Sequence, residues 1–355
     1  MKIAVYAIAK NEAEFVKKFC DSANGADLVL IADTGSTDDT AALAKECGAT
    51  VYDICISPWR FDKARESALA LVPRDIDVCI SLDLDEVLEE GWREEIERVW
   101  IQGTTRMRYK FDWSMGIVFF SEKIHARHGY HWHHPCHEYP MPDPRTKEVW
   151  AHSDKLLISH HPDPTKSRSQ YLPLLEVAVA EDKECPRNAF YYARELTFVQ
   201  QWEKAIAALK RYLDLPRATW ADERCYAMRL LSKSYDAIGN NAEAMKWGRL
   251  SVAESHDTRE PWIDLSILCY KQKNWMESYS AAMSALAITH KREVYTAEPA
   301  SWKEKPFDYA SIAAWNLGLK EQALTLCKQA LEFNPADERL LNNLRLINEN
   351  ESTIQ

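Results

Sequence analysis

Hydrophobic and polar positions follow two rhythms along this chain, and the rhythm changes once. In the first half, short apolar runs stand apart: Lys2–Ala9, Asp27–Ala32, Thr50–Ile54, Asp77–Leu82 and Lys155–His161 each read as a strand of a few residues. Between them, Glu12–Ala23 carries Phe15, Val16 and Phe19 at helical spacing, and Ala41–Cys47 is a second helix with Gly48 as its stop. Strands alternating with helices at this pace predict an α/β fold with a largely parallel sheet and a ligand crevice at the strands' C-terminal ends. Asp33 and Asp83 fall at such ends.

After Pro164 the short runs disappear and helical periodicity continues alone. Glu203-Lys204-Ala205-Ile206, Ala242-Glu243-Ala244-Met245, Met276-Glu277-Ser278-Tyr279 and Lys320-Glu321-Gln322-Ala323-Leu324 recur at about 39, 34 and 45 residues, near the period of paired-helix repeats. An aromatic-rich helix precedes each copy, over 190–198, 225–235, 262–270 and 309–317, and the longest interval contains a proline- and aromatic-rich insertion, Val294–Phe307. The expectation is a sheet domain over 1–164 and an all-α repeat domain over 165–355. Such a solenoid either offers a concave face to a partner, or buttresses the sheet domain or makes a homodimer.

Composition narrows the class. The chain has 355 residues, 46% of them hydrophobic, enough for two cored domains. A net charge of −10 argues against a broad basic face for duplex nucleic acid or anionic membrane. No apolar stretch approaches the roughly 20 residues of a membrane span, and Lys10-Asn11-Glu12 follows the apolar N-terminus where a signal peptide would carry small residues. A cytoplasmic location is expected. Nine cysteines without a paired CxxC, several in apolar runs, suit reduced buried thiols.

Chemistry concentrates at Ile80-Ser81-Leu82-Asp83-Leu84-Asp85-Glu86. Acids at alternating positions of a strand point to one side, so Asp83 and Asp85 can reach one hard cation. The alternative is an acidic turn capping a helix from about Val87; the buried-strand character of the preceding run favours the metal reading. Pro58-Trp59-Arg60-Phe61-Asp62-Lys63-Ala64-Arg65-Glu66 offers arginines and aromatics that suit a nucleotide and equally suit a surface helix. Six of eleven histidines lie between His125 and His137, but their spacing fits no zinc site and Pro135 breaks any helix there.

Taken together, Ala7-Ile8-Ala9-Lys10-Asn11-Glu12, Asp33-Thr34-Gly35-Ser36-Thr37-Asp38, Trp59 to Arg65 and Leu82 to Glu86 resemble, in order and spacing, family 2 glycosyltransferases of the GT-A fold. The helical half resembles tetratricopeptide repeats, an appendage known in such enzymes, so the resemblance covers nearly the whole chain. It implies a Rossmann-like nucleotide-sugar domain with a UDP-sugar donor contacted by Ala7, Lys10, Asn11, Glu12, Asp33, Arg65, Asp83 and Leu84. It further implies a DxD motif, Asp83 and Asp85, holding Mn²⁺ or Mg²⁺ on the diphosphate, with His137, His160 or His161 as third ligand and His160 the one chosen. In the pair His137-Glu138, Glu138 is the implied base that takes the acceptor's proton. Relatives often carry Arg-Asn where this chain has Arg65-Glu66. The expected function is metal-dependent, inverting transfer of one sugar to a saccharide, peptide or modified nucleobase, the repeats holding part of the acceptor. Two alternatives are a non-catalytic tetratricopeptide scaffold with a degenerate sugar-nucleotide domain, and nucleotidyl transfer, which would call for a glycine-rich phosphate loop.

Overall fold

The computed structural model describes residues 1–164 and 166–349, and the chain divides into two compact units, Met1–Glu181 and Asp182–Gln355. In the first, β1 (Ile3–Ala9) is buried at every position and pairs in parallel with β2 (Leu28–Asp33) and β4 (Val78–Leu82), while β2 pairs with β3 (Thr50–Asp53). A strand with both faces covered reads as an unbroken apolar run, which is what Ile3–Ala9 is. Its alternate residues serve two cores: Ile3, Val5, Ala7 and Ala9 belong to one cluster, and Ala4, Tyr6 and Ile8 to the other. Helices α1 (Ala13–Ser22), α2 (Thr40–Glu46) and α3 (Phe61–Leu71) make the crossovers.

Beyond β4 the sheet becomes mixed. After β5 (Glu86–Leu88) and α4 (Trp92–Val99) come β6 (Arg106–Asp112) and β7 (Val118–Ala126), then the separate hairpin of β8 (Tyr130–His133) and β9 (Tyr139–Pro142), and the long β10 (Trp150–His160). Strand β7 runs antiparallel to β4 and β6, and β10 runs parallel to β6 and antiparallel to β5. The order β3-β2-β1-β4-β7-β6-β10-β5 gives the expected α/β class, but the sheet is mixed rather than largely parallel, because β7 and β5 pair antiparallel with their neighbours. The last element of this unit is α5 (Tyr171–Glu181), so the division at residue 164 is one helix too early. Tyr171 stacks on Phe61 and His137, and Glu181 pairs with Arg60 at 2.5 Å, contacts no periodicity reveals.

The second unit is a run of helical hairpins: α6 (Pro186–Phe198) with α7 (Trp202–Asp214), α8 (Ala221–Ala237) with α9 (Asn241–Glu254), α10 (Arg259–Lys271) with α11 (Trp275–Ala287), and α12 (Lys305–Asn316) with α13 (Lys320–Phe333), followed by α14 (Glu338–Glu349). The equivalent small residues Ala205, Ala244, Ser278 and Ala323 are fully buried where the second helix of each pair crosses the first. In the last three pairs a serine twelve residues earlier, Ser232, Ser266 or Ser311, donates to that residue's carbonyl at 2.8–2.9 Å. The turn in each hairpin has a left-handed residue at the same repeat position: Gln200, Gly239, Lys273 and Gly318. Two of these are glycines, for which positive φ carries no steric cost.

Candidate functional site

The loops at the C-terminal ends of β1, β2 and β4 meet on one edge of the sheet. Asn11, in the left-handed region, donates its backbone N–H to Ser36 Oγ at 2.9 Å, and its side-chain oxygen accepts from Thr37 N at 2.7 Å, stapling the first loop to the second. Gly35, at φ +101°, closes the turn in which Asp33 Oδ1 accepts from the N–H groups of Gly35 and Ser36, both at 2.8 Å. The other carboxylate oxygen of Asp33 is buried without a hydrogen-bond partner.

The Asp83-Leu84-Asp85 triplet departs from the sequence expectation. β4 ends at Leu82, and the triplet is a turn between β4 and β5 rather than the end of a strand or the cap of a helix. Its two carboxylates therefore face different partners. Asp83 Oδ1 accepts from Arg65 at 2.5 Å and Oδ2 lies 3.5 Å from Lys123, whereas Asp85 Oδ2 lies 3.5 Å from His160 Nε2 and 3.7 Å from Lys166. Partial burial pushes the Asp83 carboxyl up, but Arg65 and Lys123 outweigh it and hold the group well below the usual carboxylate range. Burial pulls His160 down, yet Asp85, then Glu86 and Asp83, raise it above an ordinary histidine.

Arg65, buried on α3, is the hub. Its guanidinium bonds Asp83, Glu138 and Ser81 Oγ and stacks over Trp132 at 5.0 Å. Burial alone would depress it, but Asp83 and Glu138 keep it ionised far above neutrality. Trp132 in turn donates to Tyr6 OH at 2.8 Å, and Tyr6 OH meets His125 Nε2 at 3.0 Å, so a buried polar chain runs from the site into the sheet.

The remaining expected residues separate. Ala7 and Leu84 lie in the hydrophobic core. Lys10 is exposed. Glu12 pairs with Lys166; burial, helped by the charges of Asp83 and Asp85, pushes its carboxyl up to about 7 despite that lysine. His137, at φ +54°, stacks on Tyr171. Of the two late histidines, His160 meets Asp85, whereas His161 Nε2 lies 2.8 Å from Lys18 Nζ. The histidine-rich stretch is dispersed: His125 is in the core, His128 meets the Arg74 carbonyl, and His131 bridges Glu66 and Asp143.

Sequence reasoning missed Lys123, Lys166 and Trp113. Lys123 lies between Asp83 and Glu86, whose charges outweigh burial and hold it protonated. Trp113, nearly half exposed, covers His160 with ring centroids 4.4 Å apart. A lone lysine in a strand and a tryptophan at a hairpin tip give no sequence signal.

Among the described residues, no three His, Cys, Asp or Glu side chains converge into a metal-binding group. In kind, though, the donor set suits a hard divalent ion, with carboxylate oxygens from Asp83 and Asp85 beside the His160 imidazole, whose Nδ1 is buried without a hydrogen-bond partner. Lys123 and Lys166 now balance the carboxylates that such an ion would share.

No protein-family model matches the chain. Over 100 residues it is 35% identical to an uncharacterized glycosyltransferase of Rickettsia felis and 36% identical to one of Rickettsia conorii, in each case covering 28% of this chain and 34% of the relative. The chain thus spans about a third of the length of these curated relatives. Among solved structures it is similar to YrrB, a TPR protein with an unusual peptide-binding site (13% identity, 50% of this chain and 84% of that one, TM-score 0.39). It is also similar to glucosyl-3-phosphoglycerate synthase from Mycobacterium tuberculosis in complex with Mn²⁺, UDP and glucosyl-3-phosphoglycerate (23% identity, 31% and 44%, TM-score 0.26). No helix among the described residues is long and apolar enough to cross a membrane. The chain is thus similar to glycosyltransferases over 100 residues, and its structure is a mixed α/β sheet unit and a run of helical hairpins.

Proposed function

We propose that the sheet unit transfers one sugar, with inversion, from a nucleotide-sugar donor, a UDP-sugar in the first instance, to a hydroxyl, amine or thiol of a saccharide, peptide or modified nucleobase. The observation that carries this reading is the gathering of Arg65, Asp83, Asp85, His160 and Glu138 at the ends of the sheet's strands, in a chain similar over 100 residues to glycosyltransferases. Asp83, Asp85 and His160 would hold Mn²⁺ or Mg²⁺, which supplies positive charge to the diphosphate as it leaves. Asp33, with its second oxygen unused inside the protein, receives the base or ribose. Lys166, 3.7 Å from Asp85, is a cation that the diphosphate would share, and Arg65 holds Asp83 and Glu138 in place. The acceptor's nucleophilic atom then bonds to the anomeric carbon, the bond to the diphosphate breaks with inversion, and the acceptor's proton passes to Glu138.

Changing Glu138→Gln tests the assignment. The expected result is donor affinity within about twofold of wild type and a single-turnover rate lower by about 10² to 10⁴. The contact between Glu138 and Arg65 favours a second reading, in which Glu138 only holds the arginine. In that case the same change weakens UDP binding with a proportionate loss of rate. Unchanged affinity and rate would remove Glu138 from the mechanism.

A further inference from the structure

The insertion singled out in the repeat half is not a surface loop. Residues 288–304 join α11 to α12 with no regular structure before a short 3₁₀ turn at Pro299–Trp302, and they lie across the first helices of three successive hairpins. Tyr295 packs on Tyr191 of α6 and on Trp220, and its hydroxyl donates to Glu223 of α8 at 2.5 Å. Arg292 pairs with Asp222 of α8 at 2.5 Å and with Asp257 just before α10. Glu298 accepts from Arg229 of α8 at 2.5 Å, and its N–H donates to Glu260 of α10 at 3.1 Å. Trp302 donates to the same Glu260 oxygen at 2.9 Å and lies under Arg259 at 4.3 Å.

On α8 the segment meets Asp222, Glu223 and Arg229, of which Asp222 and Arg229 lie at i and i+7 on one face, two turns apart. The fit is close: a cavity of about 20 Å³, lined in part by Asp222, Arg229, Arg292 and Thr296, remains beneath it, room for about one water. The contacts repeat at three-residue steps through a turn closed by Ala297 N and the Val294 carbonyl at 3.1 Å, with a cation at 292, a phenol at 295 and a carboxylate at 298, each met by a complementary group on the helices. This is the pattern of a bound peptide. The Arg292–Asp257 pair is partly exposed on both sides, at 33% and 55%, and resists displacement only weakly, whereas the partners of the other two pairs, Asp222 and Arg229, are 11% and 3% exposed.

We propose that residues 289–304 are an internal ligand that closes the face formed by α6, α8 and α10. That face opens only to a peptide bearing the same Arg-x-x-Tyr-x-x-Glu pattern and able to form the same turn, which must replace the segment. A tethered segment competes at an effective concentration on the order of millimolar, so the closed state dominates until such a peptide is abundant or the segment is weakened.

The test uses the full chain with residues 290–303 replaced by a Gly/Ser linker of equal length, and a labelled synthetic peptide of residues 289–304 followed by fluorescence anisotropy. The replaced chain is expected to bind the peptide at least tenfold tighter than wild type. A peptide with alanine at the positions of Arg292, Tyr295 and Glu298 should not bind. Equal binding to both chains, or no binding to a replaced chain that keeps its helical circular dichroism, would overturn the proposal. So would loss of helical structure on replacement, which would make the segment part of the core. Independently, the double variant Arg292→Ala, Tyr295→Ala should speed amide exchange in 289–298 at least tenfold while leaving α8 and α10 unchanged. Equal acceleration in those helices would refute displaceability.

Discussion

His125 gives the sheet unit a pH dependence whose size follows from its surroundings. Its ring is fully buried, with Nδ1 2.8 Å from its neighbour's carbonyl, Ala126 O, and Nε2 3.0 Å from Tyr6 OH. Trp132 donates to the same Tyr6 oxygen at 2.8 Å, so the Tyr6 proton is directed at Nε2 and the imidazole is held neutral. Burial first, with Arg106 and Arg127 adding repulsion, lowers the group to about 4. The unfolded chain, with an ordinary histidine near 6.5, binds more protons between those values, so stability is lost as pH falls through the window and is fully present above it. At about 1.4 kcal/mol per unit, the loss is about 2 kcal/mol between pH 8 and pH 5 and about 3 kcal/mol below pH 4. Urea unfolding followed by tryptophan fluorescence at several pH values, in wild type and His125→Gln, isolates this contribution from the other titrating groups. The variant should be less stable at pH 8 yet have a flatter profile, by about 2 kcal/mol at pH 5. Parallel profiles would refute the reasoning.

The Arg65→Ala variant leaves Glu138 buried beside no counter-charge and should destabilise the sheet unit by about 3 kcal/mol, read as a lower urea midpoint; an unchanged midpoint would mean that solvent already reaches the cluster. The Gly239→Ala change meets no atom within 4 Å, so its cost is conformational alone, about 1 kcal/mol by thermal unfolding of the helical unit. A neutral result there would show that the hairpin turn relaxes out of the left-handed region.

The β–α alternation through Leu82 was legible because a strand buried on both faces leaves an unbroken apolar run, and the repeats were legible because Ala205, Ala244, Ser278 and Ala323 must be small where two helices cross. The left-handed turn was legible at Gly239 and Gly318 but not at Gln200 and Lys273, where residue type gives no hint of positive φ. Asp85 and His160 could be paired in advance only through resemblance, since 75 residues separate two groups that meet at 3.5 Å. That Asp83 and Asp85 meet different partners was hidden because a strand and a tight turn of three residues look alike in an apolar-acidic pattern. Lys123 and Lys166 escaped notice because a lysine ordinarily serves solvent, and only the surrounding carboxylates give these two a role.

If the acids after β4 bind a sugar nucleotide's diphosphate through a divalent ion, the metal and Asp85 together set the affinity for UDP. Isothermal titration of UDP into the full chain, with Mn²⁺ and with chelator, measured for wild type and Asp85→Asn, tests it most directly. Wild type should bind UDP at least about tenfold tighter with Mn²⁺, and Asp85→Asn should lose that gain while keeping its circular dichroism spectrum. A variant that binds UDP with undiminished, metal-enhanced affinity would contradict the account.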